Sequence, residues 1–227
     1  MIYGADWAGS GWVLVGLEAG TFFVALVPRF EEVLTRTEGG ILVVDVPIGL
    51  PERASPGGRA ADRAARKLLP RERKSSVFPT PSRRALSAES FEEARRLNAP
   101  VGLNRQTYAL FPVLREVDRA MYPELQNRVY EGHPELSFLH LAGPALVRTS
   151  KRDRRGLCLR EKALAEAFGP AWRVLLHEAP LPPAKKRDLV DAGALLWTAQ
   201  RIARGEAHRV PEPPEEDARG LRMAIYF

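Results

Sequence analysis

Short apolar stretches punctuated by glycine open the chain. Met1–Trp7, Gly11–Leu17 and Thr21–Val27 are rich in Val, Ile, Tyr, Phe and Trp, and Gly9-Ser10-Gly11 and Glu18-Ala19-Gly20 separate them. This pattern predicts an antiparallel three-strand meander. Phe30 to Arg36 changes to helical spacing, closed by Gly39-Gly40. Ile41-Leu42-Val43-Val44-Asp45-Val46-Pro47 then runs apolar except for one acid, as expected of a strand parallel to the first and buried on both faces. The N-terminal order is therefore β-β-β-α-β.

Beyond residue 50 the pattern loosens. It predicts helices at Arg59–Leu69, Ser87–Leu97 and Arg105–Met121, with a proline-rich connection Phe78-Pro79-Thr80-Pro81. Asn104 is placed to cap the third helix, and Pro112 to kink or split it. Approximately residues 52–126 thus read as a helical insertion. Arg128-Val129-Tyr130-Glu131 reads as a further strand, and Gly132-His133-Pro134 as a turn into a short helix through Leu141. Helices over Arg160–Phe168 and Lys185–Arg204 follow, and Pro211–Glu216 reads as a low-complexity tract. The expected fold class is α/β: a mixed sheet of an antiparallel meander plus parallel strands, flanked by helices.

A chain of 227 residues suits one domain, 1–227, carrying that insertion, and 45% hydrophobic with 27% charged residues matches an ordinary globular protein. The apolar runs, such as Ile41 to Val44 and Ala194 to Trp197, are far shorter than the ~20 residues that cross a bilayer, so no membrane span is expected. Met1-Ile2-Tyr3-Gly4-Ala5-Asp6 has no basic leader and meets an acid early, which points to a cytoplasmic protein. Cys158 is the only cysteine, which excludes an intrachain disulfide and a thiolate zinc cage.

The net charge is +6, unevenly distributed. Arg59 to Arg84 holds nine basic and two acidic residues, and Arg148 to Arg160 six basic and one acidic. The tail, with Glu206, Glu212, Glu215, Glu216 and Asp217, reverses sign. Such asymmetry suits contact with a polyanion, although a charge run is also what a solvated face looks like.

Two acids fall inside expected strands: Asp6 and Asp45 are flanked by residues that should be buried. A charge there is costly unless paired or metal-bound; alternatively each caps a turn, Asp6 over Gly9 and Asp45 over Gly49. Asp188 and Asp191 lie three apart near the start of a helix and so share a face, where the alternative is ordinary first-turn acidity. Asp191 enters an apolar stretch, which a merely solvated acid would not. Glu131, His133 and Glu135 add two acids and an imidazole within five residues. Hard oxygen donors without clustered Cys or His favour Mg²⁺ or Mn²⁺ over zinc. The chain has no Walker-type loop, no Gly-x-Ser-x-Gly elbow and no His-Glu-x-x-His pair, and Gly9-Ser10-Gly11 lacks the third glycine of a dinucleotide fingerprint.

Five stretches together resemble a known family. They are Gly4-Ala5-Asp6 with Gly11-Trp12-Val13; Val44-Asp45-Val46-Pro47-Ile48-Gly49-Leu50-Pro51; Arg73-Lys74-Ser75-Ser76-Val77-Phe78-Pro79-Thr80-Pro81-Ser82-Arg83; Arg115-Glu116-Val117-Asp118 with Glu131-Gly132-His133-Pro134-Glu135; and Asp188-Leu189-Val190-Asp191-Ala192. The family is domain of unknown function 429, described as predicted nucleases with a ribonuclease H-like fold. The resemblance implies that Asp6, Asp45, Glu131 and Asp191 form an acidic catalytic and metal-binding site, with Asp188, His133 and Glu135 as accessories. For such a site Arg73, Lys74, Lys151, Arg152 and Arg83 are expected to meet nucleic-acid phosphates, with Ser75, Ser76 and Thr80 as hydrogen-bond donors, where the alternative is plain surface solubility. The expected function is Mg²⁺- or Mn²⁺-dependent phosphodiester hydrolysis. A non-catalytic nucleic-acid-binding protein on the same fold is the alternative, and an actin-like phosphotransferase is a third for which the chain is short.

Overall fold

The computed structural model describes residues 1–227. The meander is present as β1 (Ile2–Trp7), β2 (Trp12–Glu18) and β3 (Thr21–Val27), followed by α1 (Phe30–Arg36) and β4 (Ile41–Val44), which pairs parallel with β1. β5 (Val129–Glu131) adds parallel to β4, giving a five-stranded sheet of order β3-β2-β1-β4-β5. This mixed sheet flanked by helices is the ribonuclease H-like arrangement. The expected strand through Pro47 stops at Val44, with one more ladder-like bond from Asp45 N to the Ala5 carbonyl (3.3 Å).

The pleat divides β2 between two cores. Val13 and Val15 join one cluster with Val43 and with α10 (Lys186–Ala203), while Trp12 and Leu14 join another with Ala5, Val44, α1 and α5 (Phe111–Ala120). The segment between β4 and β5 is not a separate lobe. Ala61 and Ala65 of α2 (Ala60–Leu68), with Leu69 and Val77, pack into the first cluster; Ala94 of α3 (Phe91–Leu97) and Phe111, Leu114 and Val117 of α5 pack into the second. Inside it, Asn104 Oδ1 accepts from Thr107 N (2.7 Å) to cap α4 (Arg105–Tyr108), and Pro112 at the start of α5 splits the one helix expected there into two. Ser90 Oγ caps α3 by accepting from Glu93 N (3.1 Å), which starts that helix later than its sequence pattern suggests.

C-terminal to β5 lie α6 (Pro134–Ala142), α7 (Pro144–Arg148), α8 (Arg154–Phe168), α9 (Pro170–Glu178), α10 and a hairpin of β6 (Arg209–Glu216) and β7 (Arg222–Tyr226). The low-complexity tract Pro211–Glu216 lies in this hairpin: β6 tolerates Pro211, Pro213 and Pro214 because the sheet has only two strands and every strand in it is an edge. Gly132 bridges to Tyr226 and ties the hairpin to the main sheet.

What positions the site is the approach of α10 to β1. A Cβ on Gly4 would stand 2.2 Å from the Ala192 carbonyl oxygen and 2.4 Å from Leu196 N, so only glycine lets the helix backbone lie on the strand. Gly4→Ala is expected to destabilise the fold by about 1–3 kcal/mol, as overpacking does. Urea unfolding measures this, and a midpoint equal to wild type would mean that the helix is not seated on Gly4.

Candidate active site

The ladder puts Ala5 opposite Val44 and Val44 opposite Glu131. Alternation then sends Asp6 and Asp45, each one residue further on, to the opposite face from Ala5 and Val44, toward α10. Both sit where neighbouring parallel strands end, the usual location of sites in α/β sheets. Asp191, from the second turn of α10, is held there because its neighbour Ala192 touches Gly4. Asp188, one turn earlier, is half-buried. Asp6 and Asp191 are buried, and Asp45 is partly exposed.

These carboxylates act on one another. Burial, and then the charges of Asp191 and Asp45, push Asp6 well above the usual carboxylate range. Burial also raises Asp45, with Asp191 and Glu135 adding to it and His133 and Lys151 opposing, and it raises Asp188. The counter-charge is Lys151, from the loop between α7 and α8. Its Nζ bonds Asp191 Oδ2, and despite burial, which works against the ammonium, Asp191 and Asp6 hold it protonated above its ordinary value. Sequence reasoning placed Lys151 among surface phosphate contacts; the structure turns it inward to the acids. No turn capping by Asp6 or Asp45 is among the principal influences on either group.

Glu131 is not brought to this cluster. It shares the face of Val44, where Arg59 grips it through Nη2–Oε1 (2.5 Å) and Nη1–Oε2 (2.8 Å), and Ile48 N donates to Oε2 (2.7 Å). Arg59 also binds Asp62 (2.8 Å) and the Ile48 and Gly49 carbonyls, while Asp62 accepts from Thr80 N (2.9 Å). Glu131 therefore fastens the loop after Asp45 to the Phe78–Thr80 connection. Burial pushes Glu131 up to about 7, against the pull of Arg59.

Glu135 is likewise committed. It pairs with the fully buried Arg160 (2.8 Å), whose guanidinium also reaches the Thr149 and Gly156 carbonyls, so the pair braces the loop carrying Lys151. His133 is buried and lines the same cavity as Asp45. Arg83 holds Asp118 (3.0 Å), Asp217 (2.5 Å) and Glu52 (2.9 Å), and Thr80 is buried, so neither offers itself to solvent as a phosphate contact. Lys74, Ser75, Ser76 and Arg152 are exposed; Arg73 is partly exposed and spends Nε on the Val147 carbonyl (2.9 Å).

The donor chemistry of Asp6, Asp45, Asp191 and Asp188 suits a hard divalent ion, and burial, reinforced by neighbouring carboxylates, raises Asp6, Asp45 and Asp188. The geometry is not that of a formed cage. No three Asp, Glu, His or Cys side chains are arranged around a common ion position, and Lys151 occupies an oxygen of Asp191.

The fold defines a mixed α/β protein, a five-stranded sheet flanked by helices in an arrangement consistent with the ribonuclease H-like one. The chain matches the family described as "Protein of unknown function (DUF429)" over residues 4–216, and it belongs to that family. No curated protein and no solved structure matches it. No helix is long and apolar enough to cross a membrane.

Proposed function

We propose that the protein is a divalent-metal-dependent nuclease that hydrolyses phosphodiester bonds with Asp6, Asp45 and Asp191. The observation that carries this reading is the approach of three carboxylates, from β1, from the residue after β4 and from α10, close enough that burial and then their mutual repulsion raise Asp6 and Asp45. Mg²⁺ or Mn²⁺ would be held by these three, with Asp188 nearby, once Lys151 yields its oxygen of Asp191. Such an ion polarises a phosphoryl oxygen and lowers the pKa of bound water. The chain's own part is to fix the carboxylates on rigid elements. Exposed Lys74 and Arg152, with Arg73, would receive backbone phosphates, and Ser75 and Ser76 would donate hydrogen bonds. The test is cleavage of RNA, DNA and branched substrates with Mg²⁺, with Mn²⁺ and with chelator; equal turnover in all three conditions would reject metal dependence.

A second reading, a non-catalytic nucleic-acid-binding protein, is favoured by one observation: Lys151 already pairs with Asp191 and no cage is formed. It predicts salt-sensitive binding that neither chelator nor Asp6→Asn alters.

A further inference from the structure

The sheet order leaves β3 at an edge, and β3 has none of the devices that keep an edge strand from pairing. Thr21-Phe22-Phe23-Val24-Ala25-Leu26-Val27 contains no charge and no proline, and its register with β2 runs without a bulge. No hydrogen bond from outside the sheet reaches its backbone, so the N–H and C=O groups of alternate residues point away from β2 without a partner. The side chains beside this edge are apolar too. Phe22 and Val24 face the layer of α9, where Phe22 meets Trp172 with ring centres 5.7 Å apart. A groove of about 550 Å³ runs between Gly20–Val24 and Val174, Leu175 and Pro180. Leu26 shares that face two residues beyond the groove and is 44% exposed, and Val174 within it is 52% exposed. Two of the chain's five exposed large apolar side chains thus lie along one edge, as on an interaction surface rather than scattered singly.

We infer that β3 pairs antiparallel with the β3 of a second copy of this chain, joining two five-stranded sheets into one of ten strands. Self-complementarity selects this occupant. The register that pairs all seven residues places Val24 on a two-fold axis, with Thr21 against Val27 and Phe22 against Leu26 of the other copy. Each copy's bare Leu26 then lies beside the other's Phe22, on the face of the groove that holds Val174. Arg29, just past the strand, comes to the end where Glu178 lines the other copy's groove, so each copy brings a cation to the other's acid. The pair that Arg29 makes with Glu32 is exposed and holds it weakly. β3 and α9 with their flanking residues are about twenty residues, the number a standard interface takes from each side. β2 stands between β3 and β1, so this pairing leaves the carboxylate group of Asp6 uncovered.

The test is sedimentation equilibrium of wild type, Leu26→Lys and Val174→Asp, with disulfide trapping in a Cys158→Ser background because Cys158 is exposed. Wild type is expected to be a dimer at micromolar concentration, and each substitution to raise the dissociation constant at least about tenfold. Both positions are exposed, so circular dichroism is expected to show both variants folded. Val24→Cys is expected to cross-link on oxidation, since directly opposed residues stand about 4.5–5.5 Å apart between Cα atoms, within disulfide reach. Thr21→Cys is not, because its counterpart lies six residues along the pair, about 20 Å away. A protein that stays monomeric even at about 1 mM would leave the edge to a different chain and overturn the assignment. So would a dimer that both charged substitutions leave intact, or one that Thr21→Cys traps and Val24→Cys does not.

Discussion

Asp6→Asn is expected to lower metal-dependent cleavage by about 10²-fold or more while making the protein more stable at pH 8. Activity falls because a carboxylate oxygen is lost from the strand-end group. Stability rises because Asp6 is buried among like charges and its folded pKa lies well above the ordinary value. The folded protein therefore keeps a proton that the unfolded chain has released. The stability tied to Asp6 is complete below the ordinary carboxylate range, about pH 4, and is lost as pH rises through the raised folded value. Asparagine removes this penalty, so the gain should be largest at alkaline pH and absent below about pH 4, at about 2–4 °C per kcal/mol relieved. Scanning calorimetry of both proteins from pH 4 to pH 8 measures it. A variant that is less stable at pH 8 would show that Asp6 is compensated by permanent partners and serves the fold.

Glu131→Gln is expected to have the opposite profile: a loss of about 3 kcal/mol or more in unfolding free energy, from a total that for a domain is about 5–15. The carboxylate is 4% exposed, is gripped by both nitrogens of Arg59 and accepts from Ile48 N, so an amide leaves a buried guanidinium short of its counter-charge. Asp62 retains part of that guanidinium, which sets the loss at the low end of the range for broken buried pairs. Denaturant titration gives the value. An Arg59→Met, Glu131→Gln double variant should be less destabilised than the two single losses summed, because the charge that each single loss strands in the Arg59–Glu131 pair is gone, although Asp62 loses its partner whenever Arg59 is replaced. A stability change near zero in Glu131→Gln, with loss of Mn²⁺ binding instead, would return Glu131 to the ion site.

The meander, the central strand and the long C-terminal helix could be read from the sequence because their apolar periods are uninterrupted and their boundaries carry glycine. The acids on them could be read for the same reason: Asp6, Asp45 and Asp191 each break an apolar stretch. What spacing alone does not reveal is register. Glu131 lies in a strand next to Asp45 but one residue short of it in the ladder, and the pleat turns it to the other face. Its partner Arg59 is 72 residues away in the chain and belongs to a basic run that reads as solvated surface. The same masking hides the start of α8, where Arg154 and Arg155 obscure the buried positions Gly156 and Arg160. It also conceals Lys151, whose neighbours Arg152 and Arg154 are exposed while its own ammonium turns in to Asp191. α9 escaped because its short apolar pattern centres on Trp172, and β6 because its prolines argue against a strand.

Diffraction from crystals soaked in Mn²⁺, recorded at the manganese absorption edge, tests the carboxylate site most directly. The expected result is an anomalous peak bound by oxygens of Asp6, Asp45 and Asp191, with the Lys151 ammonium moved off Asp191 and the peak gone in Asp6→Asn. A soaked crystal with no manganese at the strand ends and Lys151 still paired with Asp191 would contradict it.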